Sequence, residues 1–184
     1  MYTRTRALTH SRTHVALLVL LAACAPKTEE TSAQDTDPVI AQLQEAVAAD
    51  SNNWQAQVNL AAELRRKNRH EEAAQAAEKG FMLAPSPGTE ARLEMAKVYA
   101  AADRSASAIN LVKEVEKKKR EGEPADEVKI AEVYAVLGDP NSVFRWLTRA
   151  VEANSPNLAT LKTNPDFNNV HEDPRWQEIT AKLP

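Results

Sequence analysis

Residues 127–155 of this 184-residue chain read EVKIAEVYAVLGDPNSVFRWLTRAVEANS and contain two amphipathic segments. In the first segment the apolar side chains of Ile130, Tyr134 and Leu137 recur at helical spacing, and the same spacing returns in the second segment after a short break. Neither segment can bury its apolar side alone. The sequence therefore predicts a pair of helices that needs neighbours.

The break between the two segments has the residues of a tight helix–helix turn. Gly138 suits the left-handed backbone position that ends a helix. Asp139 can accept hydrogen bonds from the first free N–H groups of the next helix, and Pro140 fits the first turn of that helix, where no donor is needed. Two helices joined by so short a turn pack antiparallel, as a hairpin.

The same chemistry recurs 35 and 70 residues earlier in the chain. Seven columns of side chains stay in register, with small residues where helices touch closely and large residues where they fill the groove. One column could arise by chance in an alanine-rich chain, but seven in register indicate an internal repeat. The columns are Leu60, Met95 and Ile130; Ala61, Ala96 and Ala131; Leu64, Tyr99 and Tyr134; Asn68, Asp103 and Gly138; Ala73, Ala108 and Val143; Ala77, Val112 and Leu147; and Gly80, Val115 and Ala150.

This repeat resembles the tetratricopeptide repeat (TPR), a helix–turn–helix unit of about 34 residues. The resemblance rests on the large–small pair of the first helix, such as Leu60-Ala61, on the leucine or aromatic residue three positions later, and on Ala84-Pro85 at the end of the first unit. The spacing here is one residue longer than usual. The resemblance implies an all-α fold, a right-handed α-solenoid of TPR-like hairpins with a helical C-terminal cap.

Composition agrees with a helical repeat and limits the choice of partner. Hydrophobic residues make up 43% of the chain and aromatic residues only 5%, whereas a β-sandwich or barrel would use more β-branched and aromatic residues. The formal net charge is −3, and loss of residues 1–23, which carry three arginines and no acidic residue, would change it to −6. An acidic chain argues against nucleic acid as a partner, because phosphate contacts need a basic surface.

Residues 1–23 have the features of an export signal. Arg4, Arg6 and Arg12 precede an apolar segment at residues 15–23. Nine helical residues span about 14 Å, whereas the hydrocarbon of a bilayer is roughly 30 Å thick. The segment is therefore too short for a stable transmembrane helix.

The apolar segment ends in LAAC at residues 21–24, which resembles the lipobox of bacterial lipoproteins. The resemblance implies that Cys24 becomes the first mature residue and carries a lipid that anchors the protein in the membrane. The alternative is ordinary signal cleavage after Ala25, but Pro26 would then be the first mature residue, which that class of peptidase rejects. We therefore expect a lipid-anchored protein of the bacterial cell envelope that faces the periplasm. Ala25 after the cysteine favours the outer membrane if the source has two membranes.

The sequence divides into four predicted segments. These are a lipoprotein signal peptide at residues 1–23, a lipidated cysteine and flexible tether at 24–37, a TPR-like helical repeat domain at 38–156, and a C-terminal capping segment at 157–184. The repeat domain begins with a half unit, a single helix opened by Asp37-Pro38, and continues with hairpins at 54–88, 89–123 and 124–156. We predict that the first helices start near Trp54, Thr89 and Ala125, and the second helices near Glu71, Ser105 and Asn141.

The C-terminal segment repeats a short motif, NPDF at residues 164–167 and DPRW at 173–176. Each motif places a capping residue and a proline before an aromatic side chain. The segment resembles the tail that closes TPR arrays in many bacterial regulators and kinases, with a short helix, a turn and a final helix. We expect its large apolar residues to cover the exposed end of the last hairpin: Phe167, Val170, Trp176, Ile179 and Leu183.

No catalytic or metal-binding motif is recognisable, and we predict that the protein is not an enzyme and has no cofactor or metal. His70 and His171 lie in different segments, and no Gly-rich phosphate loop or nucleophile motif is present. The basic run at residues 117–120 falls at a predicted helix C-terminus, where cations complement the helix dipole, so we interpret it as a solvated helix end. We interpret Trp54 as packing against the preceding helix.

The TPR resemblance implies a groove lined by the first helices that holds a peptide or helix of a partner. On this basis the sequence predicts a non-catalytic adaptor that binds another envelope protein. The alternatives are a small-ligand carrier or an accessory subunit of an envelope enzyme, and a self-assembling structural protein. The candidate groove residues are Gln55, Asn59, Ala62, Arg66, Glu90, Leu93, Glu94, Lys97, Val128, Lys129 and Glu132.

Overall fold

A computed structural model describes residues 37–183, and within that range the chain is all-α, with ten helices and no strand. The predicted all-α fold class is confirmed. The predictions for the signal peptide, for Cys24 and for the tether up to residue 36 lie outside the described residues. The helices are α1 (Pro38–Ala49), α2 (Trp54–Arg66), α3 (His70–Leu83), α4 (Thr89–Ala101), α5 (Ser105–Arg120), α6 (Glu127–Val136), α7 (Pro140–Glu152), a first 3-10 helix (Pro156–Thr163), a second 3-10 helix (Pro165–Val170) and α8 (Pro174–Thr180).

The six helices from α2 to α7 pack as three consecutive hairpins. The most extensive contacts join α2 to α3, α4 to α5 and α6 to α7. Each first helix also packs on the next first helix, so α2 contacts α4 and α4 contacts α6. The third first helix begins at Glu127, two residues after the predicted Ala125, because the carboxylate of Asp126 accepts hydrogen bonds from the backbone N–H groups of Val128 and Lys129 and so fixes the start.

The three hairpin turns share one backbone conformation, at residues 35 positions apart. Asn68, Asp103 and Gly138 all have positive φ, of 60°, 59° and 73°. In each turn the next residue donates its backbone N–H to the carbonyl five positions earlier, at 2.9 Å, 2.8 Å and 2.9 Å for the accepting oxygens of Leu64, Tyr99 and Tyr134. Such a bond closes the C-terminus of a helix and ends it at a defined residue. The predicted turn column is therefore present in the backbone.

Aspartates cap three helices that start with proline. The carboxylates of Asp37, Asp139 and Asp173 accept backbone N–H hydrogen bonds at the starts of α1, α7 and α8, as the sequence predicts. In each case proline occupies the first turn, where its missing N–H costs nothing.

A continuous core runs along the hairpins, and small residues allow close helix contacts within it. The six predicted columns within the helices are buried, apart from Tyr99, which is partly buried, and Ala73, Ala108 and Val143 are fully inaccessible to solvent. A Cβ atom added to Gly80 would lie 3.1 Å from the Cγ2 atom of Val58 and 3.2 Å from the backbone oxygen of Trp54. Gly80 therefore marks the point at which α3 approaches α2 closely enough to favour a residue without a side chain.

The C-terminal segment packs on the last hairpin. Both 3-10 helices contact α6, and α8 contacts α7. Phe167 is fully buried, and its ring centroid lies 5.8 Å from that of Trp176. Val170 and Ile179 are buried beside them, and Leu183 is partly buried against the core. The part expected to begin as a short helix forms two 3-10 helices, separated where Asn164 caps a new start before Pro165.

Candidate binding groove

Three cavities lie along the first helices and beside the tail. The N-terminal groove has a volume of about 590 Å³ and lies between α1, α2, α4 and Lys129 of α6. The polar pocket, about 310 Å³, lies between the first helices and the 3-10 helices. The C-terminal cleft, about 710 Å³, lies between α4, the end of α5, the start of α6 and the residues after α7. Lys129 lines all three cavities, so they are neighbours.

Ten of the eleven candidate groove residues line at least one of these cavities. The N-terminal groove contains Gln55, Asn59, Ala62, Arg66, Glu90, Glu94 and Lys129. The polar pocket contains Arg66, Glu94, Lys97, Lys129 and Glu132, and the C-terminal cleft contains Glu90, Leu93 and Lys129.

Val128 does not belong to the candidate surface. It is fully buried in the core and lines none of the three cavities. The physical reason is its complete burial: Val58, Leu93 and Val128 lie 35 residues apart in one apolar column, and Val58 and Leu93 each form part of a cavity wall whereas Val128 does not. Leu93 touches the C-terminal cleft but is itself 1% exposed, so it contributes a wall rather than an accessible contact.

The N-terminal groove combines an apolar wall with polar side chains that face solvent. Val39 and Leu43 of α1 and Trp54 of α2 supply apolar surface, and Val39 is 49% exposed. Trp54 is partly buried and packs against the core while also lining the groove, beside Val39 and Leu43 of the preceding helix. Gln55 and Asn59 are exposed along α2. The groove is therefore suited to a segment that is apolar on one side and polar on the other.

Two ion pairs occupy the rim of the N-terminal groove. The guanidinium of Arg66 lies 2.9 Å from the carboxylate of Glu63, and the ammonium of Lys129 lies 2.7 Å from that of Glu90. Arg66 and Glu90 are both exposed, so solvent screens each pair and the pairs contribute little to stability. These charges are available to reorganise around a partner.

The polar pocket differs, because its charges are buried and paired with each other. The Lys97 ammonium is 4% exposed and lies 2.6 Å from Glu132, 2.8 Å from Glu94 and 3.6 Å from Asp166. Burial alone would lower the pKa of Lys97, but the surrounding carboxylates, Glu132 first, raise it above its ordinary value. Lys97 is therefore charged, and it is the shared counter-ion of three carboxylates.

The tail completes this cluster from the far side. Both oxygens of the Asp166 carboxylate accept hydrogen bonds from the Arg65 guanidinium of α2, at 2.8 Å and 3.2 Å. The side-chain amide of Asn164 donates a 2.7 Å hydrogen bond to Glu132. The second 3-10 helix therefore links the first hairpin to the third. Sequence analysis missed Arg65, Asn164 and Asp166 as members of the site.

The C-terminal cleft has a hydrogen-bonded acid at its centre. Glu127 accepts a 2.6 Å hydrogen bond from the Ser155 hydroxyl and lies 2.7 Å from the Lys119 ammonium. Burial alone would raise the pKa of Glu127, but these two donors lower it below its ordinary value. Lys118 and Lys119 of the basic run are both paired with acids that follow α5. Lys117 and Arg120 are exposed at the end of α5, so the run is solvated in part, as interpreted from the sequence, and paired in part.

The described residues contain no group of three or more His, Cys, Asp or Glu side chains placed to hold a metal ion. In the same part of the chain no helix combines the length and apolar character that crossing a bilayer requires. What the geometry offers is a set of surface cavities suited to non-covalent binding. No family model, curated protein or solved structure matches this chain.

Proposed function

We propose that this protein is a TPR-like helical-repeat lipoprotein that acts as a non-catalytic adaptor in the bacterial cell envelope. Its hairpins form a right-handed α-solenoid, and its first helices bind a peptide or helix of another envelope protein. The proposal rests on the 35-residue repeat, on the three hairpins that carry the same positive-φ turn, and on the lipobox-like LAAC sequence at residues 21–24.

The observation that carries the binding role is the N-terminal groove. It holds about 590 Å³ of open space beside an apolar wall, in a chain whose other large side chains are mostly buried. Val39 is one of three large hydrophobic residues that are exposed in the described part of the chain, with Phe81 and Met82. An apolar wall left open beside exposed amides is typical of a surface that a partner covers.

Photocrosslinking in intact cells tests the binding role. A photoreactive amino acid placed at Asn59, inside the N-terminal groove, should give one dominant crosslinked envelope protein. The matched control is Gln75, which is equally exposed but lines none of the cavities described here. Equal crosslinking at both positions, or only self-crosslinks at Asn59, would contradict an adaptor role for the groove.

The anchor is tested separately by cell fractionation. Because burial of acyl chains contributes about 0.8 kcal/mol per methylene, two or three chains hold a protein on a membrane firmly. Cys24→Ser should therefore release the protein into the soluble fraction. A serine variant that stays with membranes after a carbonate wash would exclude the lipid anchor without affecting the groove.

A small-ligand carrier is the second candidate, and the polar pocket is the observation that favours it. Its charged side chains converge on about 310 Å³ of space. However, Lys97, Glu132 and Asp166 already neutralise one another, so a ligand would have to displace internal bonds. The adaptor role is better supported, because the N-terminal groove needs no such rearrangement.

A further inference from the structure

Helix α1 differs from α3, α5 and α7, because the described residues contain no preceding helix for it to pack against. Helices α3, α5 and α7 each pack against the helix that precedes them, as the second member of a hairpin. Helix α1 packs mainly on α2, which follows it, just as α3 packs on α4. It therefore occupies the place of a second helix, and the described residues contain no first helix to pair with it.

The equivalence of α1 and α3 identifies which face of α1 is left without a partner. The two helices end 34 residues apart, at Ala49 and Leu83, and each is followed by the next first helix. On this offset three residues of α1 correspond to the three residues of α3 that face α2. The pairs are Val39 and Ala73, Leu43 and Ala77, and Ala46 and Gly80.

These equivalent residues have opposite environments. In α3 the side chains of Ala73 and Ala77 are fully buried, and Gly80 lies so close to α2 that an added Cβ would meet it at 3.1 Å. In α1, Val39 is 49% exposed and Leu43 is only partly buried, and both line the N-terminal groove. The face that a first helix covers in each hairpin is therefore open in α1.

We propose that an α-helix of the partner protein binds this face, antiparallel to α1 and beside α2, and so completes the half unit. This inference rests on the proposed function and specifies its partner: an amphipathic helix whose apolar stripe meets Val39 and Leu43. Ala46 provides the small residue at which the two helices cross, in the place that Gly80 occupies in α3. The hairpins of the molecule itself show that a helix is the element that fits such a face.

In the mature chain of the proposed function, which begins at Cys24, the sequence before α1 offers no equivalent helix for this place. Residues 25–36, APKTEETSAQDT, contain no large apolar side chain, so they lack the stripe that the face requires. The first helices of a second copy are already packed in their own hairpins. A helix from a different protein fits this place without unpacking a hairpin, and the binding experiment distinguishes it from α1 of a second copy.

The charges of the groove define the polar edge of that helix. Glu63, Glu90 and Glu94 line the groove beside Arg66 and Lys129, which gives the lining a formal charge of −1. Each of these carboxylates also lies within 2.9 Å of a cation, Glu94 through Lys97. A helix with basic residues beside its apolar stripe complements this rim, and acidic residues there would be repelled. The apolar face of α1 therefore defines an amphipathic helix as the partner segment, and the rim adds a weak preference for basic residues beside its apolar stripe.

A synthetic peptide tests the proposal directly. The probe is residues 54–67, WQAQVNLAAELRRK, acetylated and amidated, because it is the sequence that covers the equivalent face of α3 and has a formal charge of +2. It is mixed with the mature chain carrying Cys24→Ser. We expect the peptide to gain helicity by far-ultraviolet circular dichroism, and a fluorescently labelled copy to bind with a measurable Kd.

Variants of α1 locate the binding. Val39→Glu and Leu43→Glu should each weaken binding of the peptide at least tenfold. Ala48→Glu is the matched control, because Ala48 is exposed on the opposite side of the same helix and receives the same charge; it should leave the Kd unchanged. Val39→Ala, a milder change, should weaken binding while thermal unfolding stays close to that of the parent.

Three results would overturn the inference. These are no gain of helicity by the peptide, equal weakening by Ala48→Glu and Val39→Glu, and a homodimer that the α1 variants dissociate. The proposed function fails separately, through the photocrosslinking at Asn59. If a partner crosslinks at Asn59 while the α1 variants bind it normally, the adaptor role stands. The proposal that a partner helix binds the open face of α1 would then be wrong.

Discussion

The two ends of the array of hairpins differ in how their apolar surface is covered. At the C-terminal end the tail covers the last hairpin, with Phe167 fully buried and Trp176 nearly so. At the N-terminal end α1 leaves Val39 49% exposed above an open groove. A stack of hairpins has an apolar face at each end, and each face must be covered or used. The chain covers one with its own residues, and we infer that a partner covers the other.

The charges along the first helices differ in the same way. Lys97, in the polar pocket, is buried among three carboxylates and held by the tail. Lys129, nearer the N-terminal groove, pairs with an acid that is 72% exposed. The polar pocket is therefore organised before any partner arrives, whereas the rim of the N-terminal groove can reorganise.

Removal of the tail should have the largest effect, because it would make the two ends alike. A chain that stops at Ser155 exposes the core that Leu161, Phe167 and Trp176 cover, and we expect it to aggregate. The milder change Phe167→Ala should cost about 3–5 kcal/mol of the free energy of unfolding. Size-exclusion chromatography and thermal melting measure both. A truncated chain that is monomeric and melts cooperatively would show that the tail is not a cap.

The second prediction compares the two lysines. Lys97→Met leaves three carboxylates without their shared cation, and breaking such a buried network should cost about 3 kcal/mol. Lys129→Met is the matched control and should cost less than about 1 kcal/mol, because its pair is screened by solvent. Urea unfolding of the two variants gives both values. Equal costs would mean that the polar pocket and the groove rim do not differ in organisation.

The third prediction compares two glycines. Gly80→Ala places a Cβ 3.1–3.2 Å from atoms of α2, including a backbone oxygen that cannot move freely. Overpacking of this kind costs about 1–3 kcal/mol, and the higher helix propensity of alanine returns up to about 1 kcal/mol, so we expect net destabilisation. Gly88→Ala meets no atom within 4 Å and should be nearly neutral. A rise in melting temperature for Gly80→Ala would contradict close packing at this crossing, and with it the role given to Ala46.

The smallest expected change in stability comes from the Asp139 N-cap of α7, and it depends on pH. The hydrogen bond to Ser142 is the main cause that lowers the pKa of Asp139, with the first backbone N–H groups of α7 adding to it. A group with a lowered folded pKa contributes stability above its unfolded pKa, about 3.9, and loses it as the pH falls through the folded value. Asp139→Ala should cost about 1 kcal/mol at pH 7, and the difference should shrink below about pH 4. Asp139→Asn retains the cap and should destabilise the protein less than Asp139→Ala. If Asp139→Ala is equally destabilising at pH 3 and pH 7, the ionised Asp139 carboxylate does not stabilise α7.

Local chemistry in the sequence was enough to predict the helices, the turns and the caps. Asn68, Asp103 and Gly138 tolerate positive φ, and they stand in one column, so the repeat and its turns follow from residue types alone. The burial of Val128 follows from its column, because Val58 and Leu93 are also apolar and an apolar column indicates core.

The polar pocket could not be predicted in that way. Arg65 and Asp166 are 101 residues apart, and their contact depends on the path of the tail across α6. No local pattern specifies this path, because it is set by contacts between residues that lie far apart in the chain. Lys97 and Glu132 are different: they lie 35 residues apart with opposite charges, so their pairing follows once the repeat is known.

Thiol labelling of the two ends tests the difference between them most directly. In the Cys24→Ser background, a cysteine at Val39 reports on the open face of α1 and a cysteine at Val170 reports on the end covered by the tail. We predict that the Val39→Cys thiol reacts at close to the rate of an exposed thiol, and that the Val170→Cys thiol reacts at least about a hundredfold more slowly, because it must wait for local opening. Similar rates at the two positions, or protection of the Val39→Cys thiol in the free protein, would contradict the account.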